Sequence, residues 1–390
     1  MIATHRRLAI AGLALTAAAA RPGLARAQAP QDSSLFEVAA MRARLVAARE
    51  EHPAAQGRAA RPDPALTHYL EGVAQLGKRQ FDSALTPLRA AASASPATAR
   101  YHGDLGYALA GVARWDDAAS EYETAARLQD ANPWYDVGLA AVRAKQEQWE
   151  QAKQSYERAV ALDSSIIDRR LVTAVSDCLD RGGFEPELIA WSRIAAARYP
   201  DDPTPWLRLA TLLRRTDSTA GLAAIRRFRA LAPGHLLGAA LYANYLLGLG
   251  QDDSSLALAG EAADDSTLWP YAWPVYLQVG AHQFQSRDFA GAALTLEEGR
   301  RYAPAARHAQ FSFFLGYANA QRLGPMYADA AQKKDCAEGH VVDSLETSVR
   351  HDLEEGKAVG DSTQINQILG TVLAQARTRI NEMLTYCRKP

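Results

Sequence analysis

Cysteine is nearly absent: the 390 residues hold three, Cys178, Cys336 and Cys387. None lies in a CxxC or CxxCH arrangement, so dithiol redox and c-type haem chemistry have no support. Methionine is as scarce, with four. Valine and isoleucine are thin while alanine is abundant, a balance that favours closely packed helices over strands. No GxSxG, P-loop, HExxH or Rossmann glycine pattern occurs, and the carboxylates fall on polar turns such as Asp201-Asp202 and Asp252-Asp253. Catalysis, cofactor binding, a metal centre and a small-molecule substrate are therefore not expected. No dense basic footprint exists either, which excludes sequence-independent nucleic-acid binding.

Residues 1–27 hold four of the 43 basic residues and none of the 44 acidic ones, leaving a modestly acidic body. Arg6 and Arg7 precede an apolar run from Leu8 to Ala20, and Ala25-Arg26-Ala27 offers a small-x-small cleavage site. The run is shorter than the roughly 20 residues that a membrane span needs. Residues 1–27 are thus expected to be a signal peptide cleaved after Ala27, placing the mature chain in the periplasm or outside the cell. In such an oxidising compartment Cys336 and Cys387 are expected to form a disulfide, and Cys178 to be a buried thiol.

What the chain does contain is a period. Phe81, Trp115 and Trp149 lie 34 positions apart, as do Ala84, Ala118 and Ala152, then Leu88, Tyr122 and Tyr156, then Ala91, Ala125 and Ala159. The small residues Gly72, Gly106 and Ala140 keep the same step. Gly280, Phe289, Ala292, Leu296, Gly299 and Pro304 repeat the offsets in a separate copy. A period of this length marks stacked helical hairpins, none of which can bury its apolar face alone.

These residues resemble the tetratricopeptide repeat (TPR) family, and the fragments LEGVAQLGKRQFDSALTPLRAAASASP and LQVGAHQFQSRDFAGAALTLEEGRRYAP match its pattern closely. The resemblance implies an all-α, right-handed superhelix of hairpins with helical caps. Residues 28–64 would form an N-terminal helix, Asp32 to Glu51, and a linker; Ser34 would cap that helix and Glu37 complete a capping box. Three regular repeats follow at 65–164, degenerate hairpins at 165–272, a further repeat with its following helix at 273–330 and capping helices at 331–390. Six or seven hairpins are expected in all. Within the degenerate stretch, Asp217–Gly221 and Gly250–Asp253 read as turns and Asp264–Pro274 as a loop. An amphipathic helix, Gln364 to Tyr386, would seal the last hairpin.

The same resemblance places groove-lining positions on the first helix of each pair: Tyr69, Val73 and Leu76; Arg100, Tyr107 and Ala110; Trp134, Val137 and Ala141; Leu277, Ala281 and Phe284. The partner-binding set is then Tyr69, Val73, Tyr107, Trp134, Val137, Leu277 and Phe284, an aromatic and apolar lining suited to an extended segment or a helix. Two occupants stay open: a partner protein, or residues 33–50 of the same chain. His68, His102 and Asp136 share one repeat position but stand too far apart for one metal ion, and read as core or groove residues. The basic cluster Arg208, Arg214, Arg215, Arg226, Arg227 and Arg229 reads as a solvated helix face. The expected role is a scaffold or adaptor of the periplasm or cell envelope, holding a protein partner that could belong to a membrane-associated complex. A regulatory or carrier subunit of an envelope enzyme, in peptidoglycan or secretion machinery, is the competing reading.

Overall fold

A computed structural model describes residues Ser33–Glu50 and 63–387; the expected signal peptide lies outside them, and Ser34, expected to cap the first helix, falls within it. Every regular element among the described residues is helical. After α1 (Ser33–Glu50) come the pairs α2 (Pro64–Gly77) with α3 (Phe81–Ala94), α4 (Ala99–Gly111) with α5 (Trp115–Leu128), α6 (Pro133–Lys145) with α7 (Trp149–Leu162), and α8 (Arg169–Gly182) with α9 (Glu185–Arg198). The next pairs are α10 (Pro203–Leu213) with α11 (Ser218–Leu231), α12 (Leu236–Leu247) with α13 (Asp252–Ala263), α14 (Trp269–Gln285) with α15 (Phe289–Tyr302), and α16 (His308–Lys333) with α17 (Cys336–Gly356). The described residues end with α18 (Ser362–Gln367), a π turn at Ile368–Val372, and α19 (Leu373–Cys387). Eight hairpins result, more than the six or seven expected. The chain divides into two compact units, up to residue 195 and from residue 196 onward. Each is an all-α stack of hairpins, the members of a pair below being called helix A and helix B.

The hairpins form for local reasons. Asp63, Asn132 and Asp202 accept hydrogen bonds from the first-turn amides of α2, α6 and α10, and a proline follows each cap where no amide is needed. Between A and B the chain turns through one residue at positive φ: Arg79 (57°), Ala113 (58°), Glu147 (58°) and Arg287 (68°). Gly183 (75°) and Gly250 (70°) stand at the corresponding place of two further pairs, two residues before their B helices. The repeating columns then close each pair. A Cβ added at Gly72 would lie 2.5 Å from Leu88 Cγ, and one at Gly280 2.5 Å from Leu296 Cγ, so helices A and B touch through glycine. Ala84, Ala118, Ala152 and Ala292 are wholly buried in the facing B helices.

Several boundaries differ from expectation. Asp217 is the N-cap of α11, not part of a longer turn, and α13 begins at Asp252 because its acidic first turn is favourable at a helix N-terminus. The stretch Asp264–Pro274 is not a loop: a 3₁₀ turn, Ser266–Leu268, leads into α14 at Trp269. Pro270 sits in the first turn, where its missing amide costs nothing, and only Pro274 interrupts the helical ladder. Near the C-terminus, the helix expected at Gln364 starts at Ser362, capped by Asp361, and is broken by the π turn. Ile365, Leu373, Ile380 and Leu384 bury it against α16 and α17. Cys336 at the start of α17 and Cys387 at the end of α19 are joined by a disulfide with Cα atoms 5.7 Å apart.

Helix α1 departs from the expected cap and agrees with the other expectation, that residues 33–50 occupy part of the groove. It is not a cap on the end of the stack but packs across helices α4, α6 and α8, all of them A helices. Glu37 completes no capping box; its carboxylate pairs with Arg79 Nη2 at 2.6 Å, on the turn between α2 and α3.

Candidate partner-binding groove

In the first unit the A helices put Tyr69 on α2, Tyr107 on α4 and Trp134 and Val137 on α6, all buried, with Val73 half-buried. Helix α1 lies over this face, burying Phe36, Val38, Ala39, Ala40 and Ala43. Three anchor points fix it. Phe36 stacks on Trp115 with ring centroids 6.4 Å apart. The Arg42 guanidinium lies 4.6 Å above the Trp134 ring while pairing with Asp168 at 3.0 Å. Arg44 Nε reaches both carboxylate oxygens of Asp104 at 2.8 Å, and the Tyr69 hydroxyl donates to the same carboxylate at 2.8 Å.

Asn132 adds a fourth contact and shows how local folding positions the site. Its Oδ1 accepts from the Trp134 amide, starting α6, and its Nδ2 donates to the Ala43 carbonyl at 3.2 Å. Asp104 is 2% exposed, so its charge relies on Arg44 and Tyr69. Burial and then the neighbouring carboxylate hold the Tyr69 hydroxyl well above the usual phenol range, so it stays a donor. Burial alone would lower the Arg44 guanidinium; the Asp104 carboxylate outweighs it and the net displacement is upward.

The sequence reading found the aromatic stripe but missed Asp104, Asn132 and Arg44. A signal for the first existed: Asp104 stands four residues after Arg100 and three before Tyr107, on the stripe assigned to the groove.

The second unit treats its two residues differently. Leu277 on α14 is 3% exposed and belongs to the core with Phe311, Leu315 and Leu296, so it holds hairpins together. Phe284, one and a half turns from the C-terminal end of that core stripe, is half-buried. Its ring packs with Phe289, Phe314 and Tyr317 at centroid distances of 5.5, 6.1 and 6.4 Å.

The remaining singled-out residues are accounted for by short-range partners. His102 places Nδ1 2.7 Å from Glu121 and Nε2 3.0 Å from the Pro96 carbonyl, and Asp136 pairs with Arg158 at 2.9 Å. His68 is exposed, contrary to the core or groove position expected of it, because it lies off the stripe Ala65, Tyr69, Gly72 and Leu76 that α2 buries. In the basic cluster, Arg229 makes a two-point contact with Glu261 and Arg227 reaches the Pro200 carbonyl. Among the described residues no group of three or more His, Cys, Asp or Glu side chains is placed to hold a metal ion, and no helix is long and apolar enough to cross a membrane.

Hairpins of 34 residues that close a small helix-A residue onto a large helix-B residue, in one register over three consecutive copies, decide the architecture. They have the fold of tetratricopeptide repeats. No family model matches the chain, and no curated protein does. Among solved structures, the chain is similar to YrrB, described as a TPR protein with an unusual peptide-binding site: identity 15%, TM-score 0.39, over 45% of this chain and 91% of that one. It is similar also to Pseudomonas aeruginosa PilF, at 16% identity and TM-score 0.36, over 50% of this chain and 89% of the other. A third likeness is to the second TPR domain of human RPAP3 in complex with an HSP70 peptide, at 16% identity and TM-score 0.28, covering 30% and 94%. In this chain the A-helix face of the first unit is covered along α4, α6 and α8 by a helix of its own.

Proposed function

We propose that the protein is an exported scaffold or adaptor of the periplasm or cell envelope, which holds a partner polypeptide on the A-helix face of its repeats. The observation that carries this reading is the seat of α1. A face that accepts a helix through buried aromatics, a cation–π contact and an arginine–aspartate pair has the chemistry of a polypeptide-binding groove. The envelope part rests on the leader-like residues 1–27 and on the Cys336–Cys387 disulfide, a bond that persists in oxidising compartments. Holding a partner asks for no reacting group.

Photo-crosslinking amino acids at Val73 and Phe284, set against the exposed B-helix residues Leu128 and Leu162, test the reading in native envelopes. Intermolecular adducts are expected from the first pair only. Adducts spread evenly over both pairs, or absent from Val73 and Phe284, would overturn it. N-terminal sequencing of the mature chain should begin at Gln28; a retained Met1 would remove the export argument.

A further inference from the structure

We propose that α1 is an exchangeable in-chain ligand, and that the partner of the first unit is a helix that takes its place by presenting an arginine to Asp104 and Tyr69. The proposal rests on the groove-scaffold reading above and names the chemistry of its occupant. Asp104 is a buried carboxylate on an aromatic face that also carries Arg100; among the described residues Tyr69 donates to it and Arg44 is its paired counter-charge. Vacated by α1, it would lose the guanidinium that contacts both its oxygens, and a buried carboxylate deprived of that pair favours an occupant that supplies another. Acidic or neutral segments cannot meet that demand. A guanidinium can, because its planar fork matches a carboxylate.

The fit of α1 is incomplete. Arg44 addresses Asp104 through Nε, and its Nη2 is buried without a hydrogen-bond partner among the described residues. Beneath the N-terminal end of α1 lies a partly open cavity of about 160 Å³, lined by Leu35, Phe36, Trp149 and Cys178 and by the charged Lys145 and Arg181. Both features leave room for an occupant that fits the seat better. Residues 51–62 join α1 covalently to the stack, so it competes at high effective concentration, and an external helix must carry better complementarity to displace it.

Cys178, the free cysteine of the chain, reports on the exchange. It is 2% exposed beside that cavity, and burial pushes its thiol up to about 11, so in the docked state it should react slowly. The experiment uses the full chain with Arg44→Ala, and separately Phe36→Ala, which frees the opposite end of α1 without leaving a bare charge. A fluorescent synthetic peptide of residues 33–50 serves as the external helix. Both variants should label at Cys178 at least tenfold faster than the native chain with helix content and melting otherwise native-like. The Arg44→Ala chain should bind the peptide at least tenfold more tightly than the native chain does. The same peptide carrying Arg44→Ala should lose that gain.

Unchanged labelling in both variants, or faster labelling without peptide binding, overturns the exchange. Concentration-dependent dimerisation in place of peptide binding gives the groove to a second copy and overturns it equally. If Arg44→Ala fails to fold, Phe36→Ala carries the test alone. Persistence of the Val73 and Phe284 photo-adducts while the peptide test fails removes only this inference. Loss of both removes the scaffold reading as well.

Discussion

Arg44 on α1 and Asp104 on α4 are 60 positions apart in the chain and meet at 2.8 Å, with the Tyr69 hydroxyl on the same carboxylate. The Tyr69 bond is the part of this triad that can be removed without disturbing charge. Tyr69→Phe deletes one hydrogen bond to an ionised acceptor and should cost about 1.5–3 kcal/mol. Urea denaturation followed by circular dichroism measures it. A loss below about 0.5 kcal/mol would mean that Asp104 is hydrated in solution.

Close contact between paired helices makes a graded prediction. At Gly72 a methyl would meet the branched Leu88 side chain at 2.5 and 2.7 Å, whereas at Gly106 it would meet the Tyr122 ring at 3.1 to 3.2 Å. The third copy already carries Ala140 there, with Tyr156 in the facing column. Gly72→Ala should therefore cost about 1–3 kcal/mol through overpacking, and Gly106→Ala visibly less. Gly77→Ala, with nothing within 4 Å, should be neutral or gain up to about 1 kcal/mol. Thermal melts of the three variants check the order.

That gradation also shows what was readable beforehand. The glycine, alanine and large-residue columns are written at constant spacing, so the hairpins of residues 65–164 and 273–304 could be read directly. The pair α8 and α9 could not. Its turn residue Gly183 comes two positions later than the step of 34 from Glu147 requires, the Ser164–Ile166 3₁₀ turn lying in the intervening connection, and the columns lose register. Turn residues Arg79, Ala113 and Glu147 adopt positive φ without being glycine and leave no letter to read. In the groove, Tyr69, Tyr107, Trp134 and Val137 are assigned by the resemblance, which names those A-helix positions, and not by spacing alone. The Arg44–Asp104 pair depends on where α1 crosses α4, a tertiary fact that no local pattern encodes.

Reduction of Cys336–Cys387 should loosen one end of the second unit. The bond spans 51 positions, and the loop-entropy model gives about 4 kcal/mol for that length. Cys387→Ser should leave α14 and α15 protected while amides of α18 and α19 exchange faster, since Ile365, Leu373 and Ile380 would then hold those helices without the covalent clip. Hydrogen exchange by mass spectrometry resolves the two regions. Equal acceleration in both would show that the disulfide supports the whole unit and not its end.

His102 supplies a pH dependence whose sign can be worked out. Its two ring nitrogens face two acceptors, Glu121 and the Pro96 carbonyl, an arrangement that only the doubly protonated ring satisfies. The hydrogen bond to Glu121 raises the ring above its usual value of 6.5, burial opposes this, and the Pro96 carbonyl adds to the rise. A group raised on folding contributes fully below its unfolded value and loses that contribution as pH climbs through its folded value. The native chain should thus lose stability relative to His102→Gln as pH rises from about 6 to 9, by no more than about 1 kcal/mol because Glu121 is 28% exposed. Paired urea titrations of the two proteins across that range isolate the effect, since every other titrating group is common to both. A difference that stays flat, or widens in favour of the native chain at high pH, would show the ring to be neutral in the folded state.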